Sequence, residues 1–247
     1  DEEAEPPAIE LVDLRSPDAQ AGAGIAPAVA AALADTLEAG RQSLVFLNRR
    51  GYAPVIACDA CGWLSRCPRC STFAVFHKTD RSLRCHHCGF TEATPRACPT
   101  CGNQALHGVG HGTQRIEELL RELLPTARVM RIDRDSTRRR HAAEHAFDAV
   151  HAGHVDVLVG TQMIAKGHDF PRVTLVGVVD ADVGLGIPDF RSAERTFQLL
   201  TQVSGRAGRG GAAGEVILQS HMPDHYALVH ACAQDYDAFF EREMEFR

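Results

Sequence analysis

Eight of the nine cysteines form four Cys-x-x-Cys pairs: Cys58/Cys61, Cys67/Cys70, Cys85/Cys88 and Cys98/Cys101. Eight thiols make two complete tetrahedral sets, and zinc held by four thiolates is the usual closed, structural arrangement. A two-residue gap lets one tight knuckle aim both sulfurs at a single ion. Gly62, Gly89 and Gly102 follow three of the knuckles, where a left-handed backbone is common. Four pairs can be grouped in three ways. The fourteen residues between Cys70 and Cys85 read as a β-hairpin, and a hairpin with a knuckle on each arm is a zinc ribbon. This favours nested sites, with Cys67, Cys70, Cys85 and Cys88 inside and Cys58, Cys61, Cys98 and Cys101 outside. Sequential and cross-braced pairings are the alternatives. His86 and His87 lie between ligands of a set that the cysteines already complete. A closed four-thiolate site has no open position for water, so the expected role of the module is to hold a fold. The ninth thiol, Cys232, stands alone in a helical pattern and reads as a small buried hydrophobe.

A second constellation lies nearer the carboxyl terminus. Arg195, Gln198, Gln202, Arg206 and Arg209 fall at offsets that share one face of a helix, while Phe197 and Leu200 point to a core. Two arginines three apart on a polar face can clamp the terminal phosphate of a nucleotide. Stabilising charge on a transferring phosphoryl group in this way accelerates transfer by roughly 10³ to 10⁵. Gly205 and Gly208 weaken a helix, which implies a close approach to the backbone. A solvated polar face is the plain alternative for an isolated Gly-Arg-x-Gly-Arg. Here, however, 157–171 reads as a buried strand followed by a polar, glycine-containing loop, and Asp180 and Asp182 end the next strand. Open parallel sheets bind ligands at the carboxyl ends of their strands.

These residues need a scaffold, and the chain alternates strand and helix. Strands are expected at 9–14, 43–47, 128–132, 155–160, 173–180 and 214–220. Ile25, Val29, Leu33 and Leu37 recur along a helix stopped by Gly40. Thr113 can cap a helix carrying Ile116, Leu119, Leu120 and Leu123; further helices are expected at 141–151 and 192–204, with one charged helix at the end. Strands separated by helices imply a mostly parallel sheet covered on both faces. From about 57 to 105 the helical period disappears. The expected organisation is an α/β domain over 1–56 and 106–247, interrupted by a two-zinc module over 57–105.

Composition is that of an ordinary globule, at 45% hydrophobic and 23% charged residues. No run approaches the ~18–20 apolar residues of a membrane span, and no signal peptide is expected in the acidic, proline-containing start. The net charge of −6 is uneven: between Cys58 and His107 six Arg/Lys face three Asp/Glu. Paired thiols without a secretion signal suggest a reducing compartment.

The motifs together resemble one family. Phe46-Leu-Asn-Arg-Arg-Gly-Tyr-Ala-Pro54, the eight-cysteine module, Gly112-Thr113 before a helix, Gly160-Thr-Gln-Met-Ile-Ala-Lys-Gly-His-Asp-Phe-Pro171, Asp189-Phe-Arg-Ser-Ala-Glu-Arg195 and Gln202-Val-Ser-Gly-Arg-Ala-Gly-Arg209 resemble the bacterial primosomal protein N′ (PriA) family of replication-restart helicases. The resemblance covers essentially the whole chain. It implies the second RecA-like lobe of an ATP-dependent, 3′-to-5′ DNA helicase, with the nested zinc grouping. It further implies that Arg206 and Arg209 are arginine fingers beside Gln202, that Thr161 and Gln162 couple DNA to nucleotide, and that Thr113 meets a DNA phosphate. Two zinc ions, with ATP and magnesium in a longer parent protein, are the implied cofactors. The implied partners are forked and single-stranded DNA, primosome proteins, the replicative helicase loader and single-stranded-DNA-binding protein, in the cytoplasm at the nucleoid. The sequence contains no Gly-x-x-x-x-Gly-Lys-Ser/Thr phosphate loop, so the chain is expected to be one portion of a helicase and inactive alone. The rival class is a non-catalytic, zinc-stabilised primosome scaffold. A zinc ribbon of a transcription factor leaves the arginine stretch unexplained.

Overall fold

The computed structural model describes the chain apart from residues 1–5, 20–23, 48–54, 59, 62, 71–72, 78–79, 86–87, 110–111, 134–135, 138–140, 166–168, 186–188 and 210–211. The motif residues 48–54, His86, His87 and 166–168 therefore lie outside the described residues. The chain divides into two compact units, Asp1–Asn48 with Glu117–Arg247, and Arg49–Ile116.

In chain order the elements begin with β1 (Ala8–Asp13), α1 (Pro27–Glu38) and β2 (Gln42–Leu47). Short strands follow: β3 (Val55–Cys58), β4 (Val75–His77), β5 (Ser82–Arg84), β6 (Thr91–Ala93) and β7 (Leu106–Val109). Helix and strand then alternate through α2 (Thr113–Leu123), β8 (Val129–Ile132), α3 (Ala142–His151), β9 (Val157–Gly160), α4 (Gln162–Ala165) and β10 (Val173–Val179). The last elements are α5 (Ser192–Ser204), β11 (Glu215–Ser220), α6 (Tyr226–Ala233) and α7 (Tyr236–Glu245).

The larger unit is built on a six-stranded sheet in the order β1-β11-β10-β2-β9-β8, with every pairing parallel. Strands β2, β9 and β10 are buried along their whole length, which is why they read as continuous apolar runs. Alternate residues serve opposite faces. Leu44, Phe46, Val176, Val178, Val216 and Leu218 join one core with Phe147 and Val150 of α3, Phe197 and Leu200 of α5, Leu228 of α6 and Phe239 of α7. On the other face Gly177 lies against Val29 of α1; a Cβ there would meet its Cγ1 at 3.1 Å. Gln42 is buried at the start of β2 and donates to Val150 O and Val155 O at 3.0 and 2.7 Å.

Two expectations need correction. The final helix is two helices, because Gln234 adopts a left-handed φ of 54° and Asp235 then caps α7 by accepting from Ala238 N. The loop after β9 begins with the single turn α4, whose Ile164 and Ala165 are buried. One turn is too short to show a period.

In the smaller unit β3 and β7 pair antiparallel, and β4, β5 and β6 form an antiparallel three-stranded sheet. Its apolar centre is small: Ile56, Ala74 and Leu83, with Trp63, Phe76 and Leu106 packed against them. Buried Ser65 ties this centre together, accepting from Ile56 N and donating to Ala74 O.

Candidate zinc centres and candidate nucleotide-sensing site

The thiols of the smaller unit gather into two quartets, Cys58, Cys61, Cys98 and Cys101, and Cys67, Cys70, Cys85 and Cys88, each with its sulfurs within 4.8 Å of one another. The antiparallel β3–β7 pair brings the first and last knuckles together, and the β4–β5 hairpin brings the middle two together. Sulfur pairs stand at 3.5 to 3.6 Å: Cys58 with Cys101, Cys61 with Cys98, Cys67 with Cys88 and Cys70 with Cys85. A tetrahedral ion with Zn–S of ~2.3 Å needs sulfurs about 3.8 Å apart, so both quartets fit zinc. Backbone N–H groups already point at the sulfurs: Arg69 N at Cys67, Cys88 N at Cys85 and Thr100 N at Cys98. Gly89 and Gly102 close their knuckles at φ of 75° and 74°.

Without an ion the quartets resist becoming four thiolates. Burial, reinforced by hydrogen bonds to Cys88, Cys70 and Cys85, pushes the Cys67 thiol up to about 11. Burial raises Cys98 too, but N–H groups of Cys101 and Thr100 and the neighbouring thiols bring it down to about 6. A divalent cation at each centre removes the mutual repulsion and holds all four sulfurs ionised. Such a metal supplies cross-linking and no open coordination position. Arg66 lies over the Phe73 ring and Arg69 over the Phe90 ring, at 4.9 and 5.1 Å.

The candidate nucleotide-sensing residues lie in the larger unit. Phe197, Leu200 and Val203 anchor α5 to the core, and Phe197 stacks on Phe239 at 4.0 Å. Arg247 pairs with Glu194 of α5 and Glu243 of α7, so α5 is also held from outside. Arg195, Gln198 and Gln202 are exposed on α5. The shared helical face expected through Arg206 and Arg209 stops there, because α5 ends at Ser204. Both arginines sit instead in the turns that follow. Gly208 has a φ of +79°, its N–H donates to Val173 O at the start of β10, and a Cβ on it would lie 2.7 Å from Gly214 N.

The two arginines have different surroundings. Arg206 is half-buried and donates through Nη2 to Ala165 O at 2.6 Å. Burial lowers its pKa, with Arg209 adding to the effect and Asp169 opposing it. Arg209 is exposed; its Nε donates to Gly205 O at 2.7 Å, and its Nη1 stands 3.4 Å from Asp169 Oδ1. Arg195 is engaged with Asp189 at 2.6 Å.

Thr161 follows β9 and is buried, with no hydrogen-bond partner for its hydroxyl among the described residues; Gln162 beside it is exposed. Gly160 must lack a side chain, since a Cβ would meet Ile132 O at 2.5 Å. Thr113 opens α2 and is buried. Asp180, at the carboxyl end of β10, takes a left-handed φ of 52°, and Asp182 accepts from His221 N. Sequence reasoning gave no role to Asp169 or to the Ala165 carbonyl. The acid could have been found as a charge in the loop at a carboxyl strand end; a backbone acceptor has no side-chain signature.

The family model described as the PriA DNA helicase Cys-rich region matches residues 67–92, and the helicase conserved C-terminal domain matches 107–211. The chain is 49% identical over 215 residues to replication restart protein PriA of Bacillus subtilis, covering 87% of this chain and 27% of that protein. It is 41% identical over 242 residues to replication restart protein PriA of Rickettsia felis, covering 98% of this chain and 37% of that one. Among solved structures, the Mycobacterium smegmatis helicase Lhr bound to single-stranded DNA and AMP-PNP aligns at a TM-score of 0.43 and 18% identity, covering 98% of this chain and 22% of that chain. The chain thus spans roughly a third of the length of these curated relatives. With identities of this size over nearly all its length, and a helicase carboxyl-terminal lobe joined to the cysteine-rich region, the chain belongs to the PriA family of replication restart proteins.

Proposed function

We propose that this chain is the second motor lobe and zinc module of an ATP-dependent, 3′-to-5′ DNA helicase that acts at stalled replication forks and restarts replication through primosome assembly. The observation that carries the reading is Arg209. Its guanidinium is exposed beyond the end of α5, anchored through Nε to Gly205 O at 2.7 Å, with Nη1 3.4 Å from Asp169 Oδ1. Such an arginine can reach a nucleotide held by another lobe and stabilise charge on the departing phosphoryl group. In this reading Arg206 sets the turn from which Arg209 projects, and Gln202 borders the same nucleotide. Thr161, Gln162 and Thr113 contact DNA backbone, and the eight cysteines hold two zinc ions. ATP and magnesium bind in the full-length protein, whose partners are forked and single-stranded DNA, primosome proteins, the helicase loader and single-stranded-DNA-binding protein. This chain by itself hydrolyses no ATP, since its sequence supplies no phosphate loop.

The test is Arg209→Ala in the full-length protein. DNA-stimulated ATPase should fall by roughly 10³ or more. Affinity for forked DNA should hardly change, because phosphate contacts elsewhere dominate it. An Arg209→Ala protein that hydrolyses ATP at the unmodified rate would remove the basis of the proposal. A full-length protein with no ATPase at all would point to the scaffold instead.

A further inference from the structure

Arg206 and Arg209 put two positive charges close together after α5; burial lowers the Arg206 pKa and the Arg209 charge adds to that. Asp169 answers both: it favours the charged form of Arg206 and pairs with Arg209 at 3.4 Å. The bonds differ in permanence. Arg206 is half-buried on the Ala165 carbonyl at 2.6 Å, whereas the Arg209–Asp169 pair is 44% and 64% exposed. Exposed pairs at such distances are weak and exchangeable. Arg209 also divides its donors. Nε is fixed on Gly205 O at 2.7 Å, and Nη1 alone faces the carboxylate. A phosphate carries more charge and accepts two parallel N–H bonds, so it outcompetes a single carboxylate oxygen for that fork.

We propose that Asp169 is a positioning residue that stands in for the nucleotide's terminal phosphate, holding the Arg209 guanidinium in place while the site is empty and releasing it when nucleotide arrives. The inference rests on the assignment of Arg209 above. It carries a structural consequence: both arginines hold the segment after β9, Arg206 through Ala165 continuously and Arg209 through Asp169 only without nucleotide. Exchange of Arg209 from carboxylate to phosphate therefore frees one tie between the turn after α5 and Asp169.

The experiment is a double-mutant cycle in the full-length protein, reading kcat and KM for ATP with saturating DNA. Asp169→Asn keeps the shape and removes the charge. It should lower kcat on the order of 10-fold through misplacement of Arg209, without raising KM, because a competitor of the phosphate has gone. Asp169→Glu, which restores a carboxylate, should recover most of the rate. In an Arg209→Ala background, with residual activity read under single-turnover conditions, Asp169→Asn should have no further effect. No loss of kcat in Asp169→Asn, or an equal loss with and without Arg209, overturns the inference while leaving the arginine assignment intact. A raised KM with unchanged kcat overturns it as well, since Asp169 would then touch the nucleotide itself. If Arg209→Ala alone leaves ATPase unchanged, the assignment beneath it has failed instead.

Discussion

At the scale of single residues, the two arginines of Gly-Arg-Ala-Gly-Arg look alike in sequence but are not interchangeable in the fold. Arg206, half-buried, gives a charged donor to a backbone carbonyl across the chain at 2.6 Å. A hydrogen bond to a charged group contributes about 1.5–3 kcal/mol, and its loss would also strand the Ala165 carbonyl. Arg206→Met should therefore destabilise the zinc-loaded chain by about 2 kcal/mol, seen as a lowered urea midpoint. Arg209→Ala should shift that midpoint by under ~0.5 kcal/mol, as expected for an exposed side chain. Equal effects of the two substitutions would contradict this division of labour. The pattern of polar residues singled out the stretch. It could not show how the two differ, because Arg206 donates to a main-chain carbonyl forty-one residues away, and a backbone acceptor has no side-chain signature.

At the scale of elements, the turn after α5 decides where Arg209 goes. The apolar spacing of Phe197, Leu200 and Val203 made the helix legible as far as Ser204, and the motif's periodicity suggested continuation to Arg209. The fold breaks it because Gly208 and Gly214 pack backbone to backbone, a contact that local sequence does not announce. Gly205 and Gly208 should accordingly respond differently to alanine. A Cβ on Gly205 would meet nothing closer than Thr201 O at 3.5 Å, and its φ of −66° suits any residue. Gly205→Ala should be neutral or slightly stabilising, by up to ~1 kcal/mol. Gly208→Ala must adopt a left-handed backbone and displace Gly214, so it should cost about 2 to 4 kcal/mol and swing Arg209 away. Urea unfolding followed by far-UV circular dichroism reads both, and a tolerated Gly208→Ala would show that the turn is less constrained than its geometry indicates. The cysteine hairpin was the more legible element. Fourteen residues with a central turn between two knuckles leave few ways to close, and the β4–β5 pairing closes them with the sulfurs together.

At the scale of the whole chain, the two units are stabilised by different means. The larger one buries a six-stranded parallel sheet under an extensive apolar core. Among the described residues of the smaller one the buried apolar cluster is Ile56, Ala74 and Leu83, little to set against the entropy of ordering its loops. Zinc must make up the difference, at roughly 10–16 kcal/mol of apparent binding free energy per structural site. The freshly purified, reduced protein should hold two zinc ions per chain by elemental analysis. Cys67→Ser should lose one ion and leave the ion of Cys58, Cys61, Cys98 and Cys101 in place, because the quartets share no ligand. Stripping both with a chelator should abolish hydrogen-exchange protection in β3, β5 and β7. Protection in β2, β9 and β10 should survive, since their ladder bonds lie in the buried sheet. Acidification should release the metal as chelation does, since every ligand must stay deprotonated to bind. Protection in β5 that persists without zinc would mean the apolar cluster suffices, and simultaneous collapse of β2 and β10 would mean that the two units fold as one.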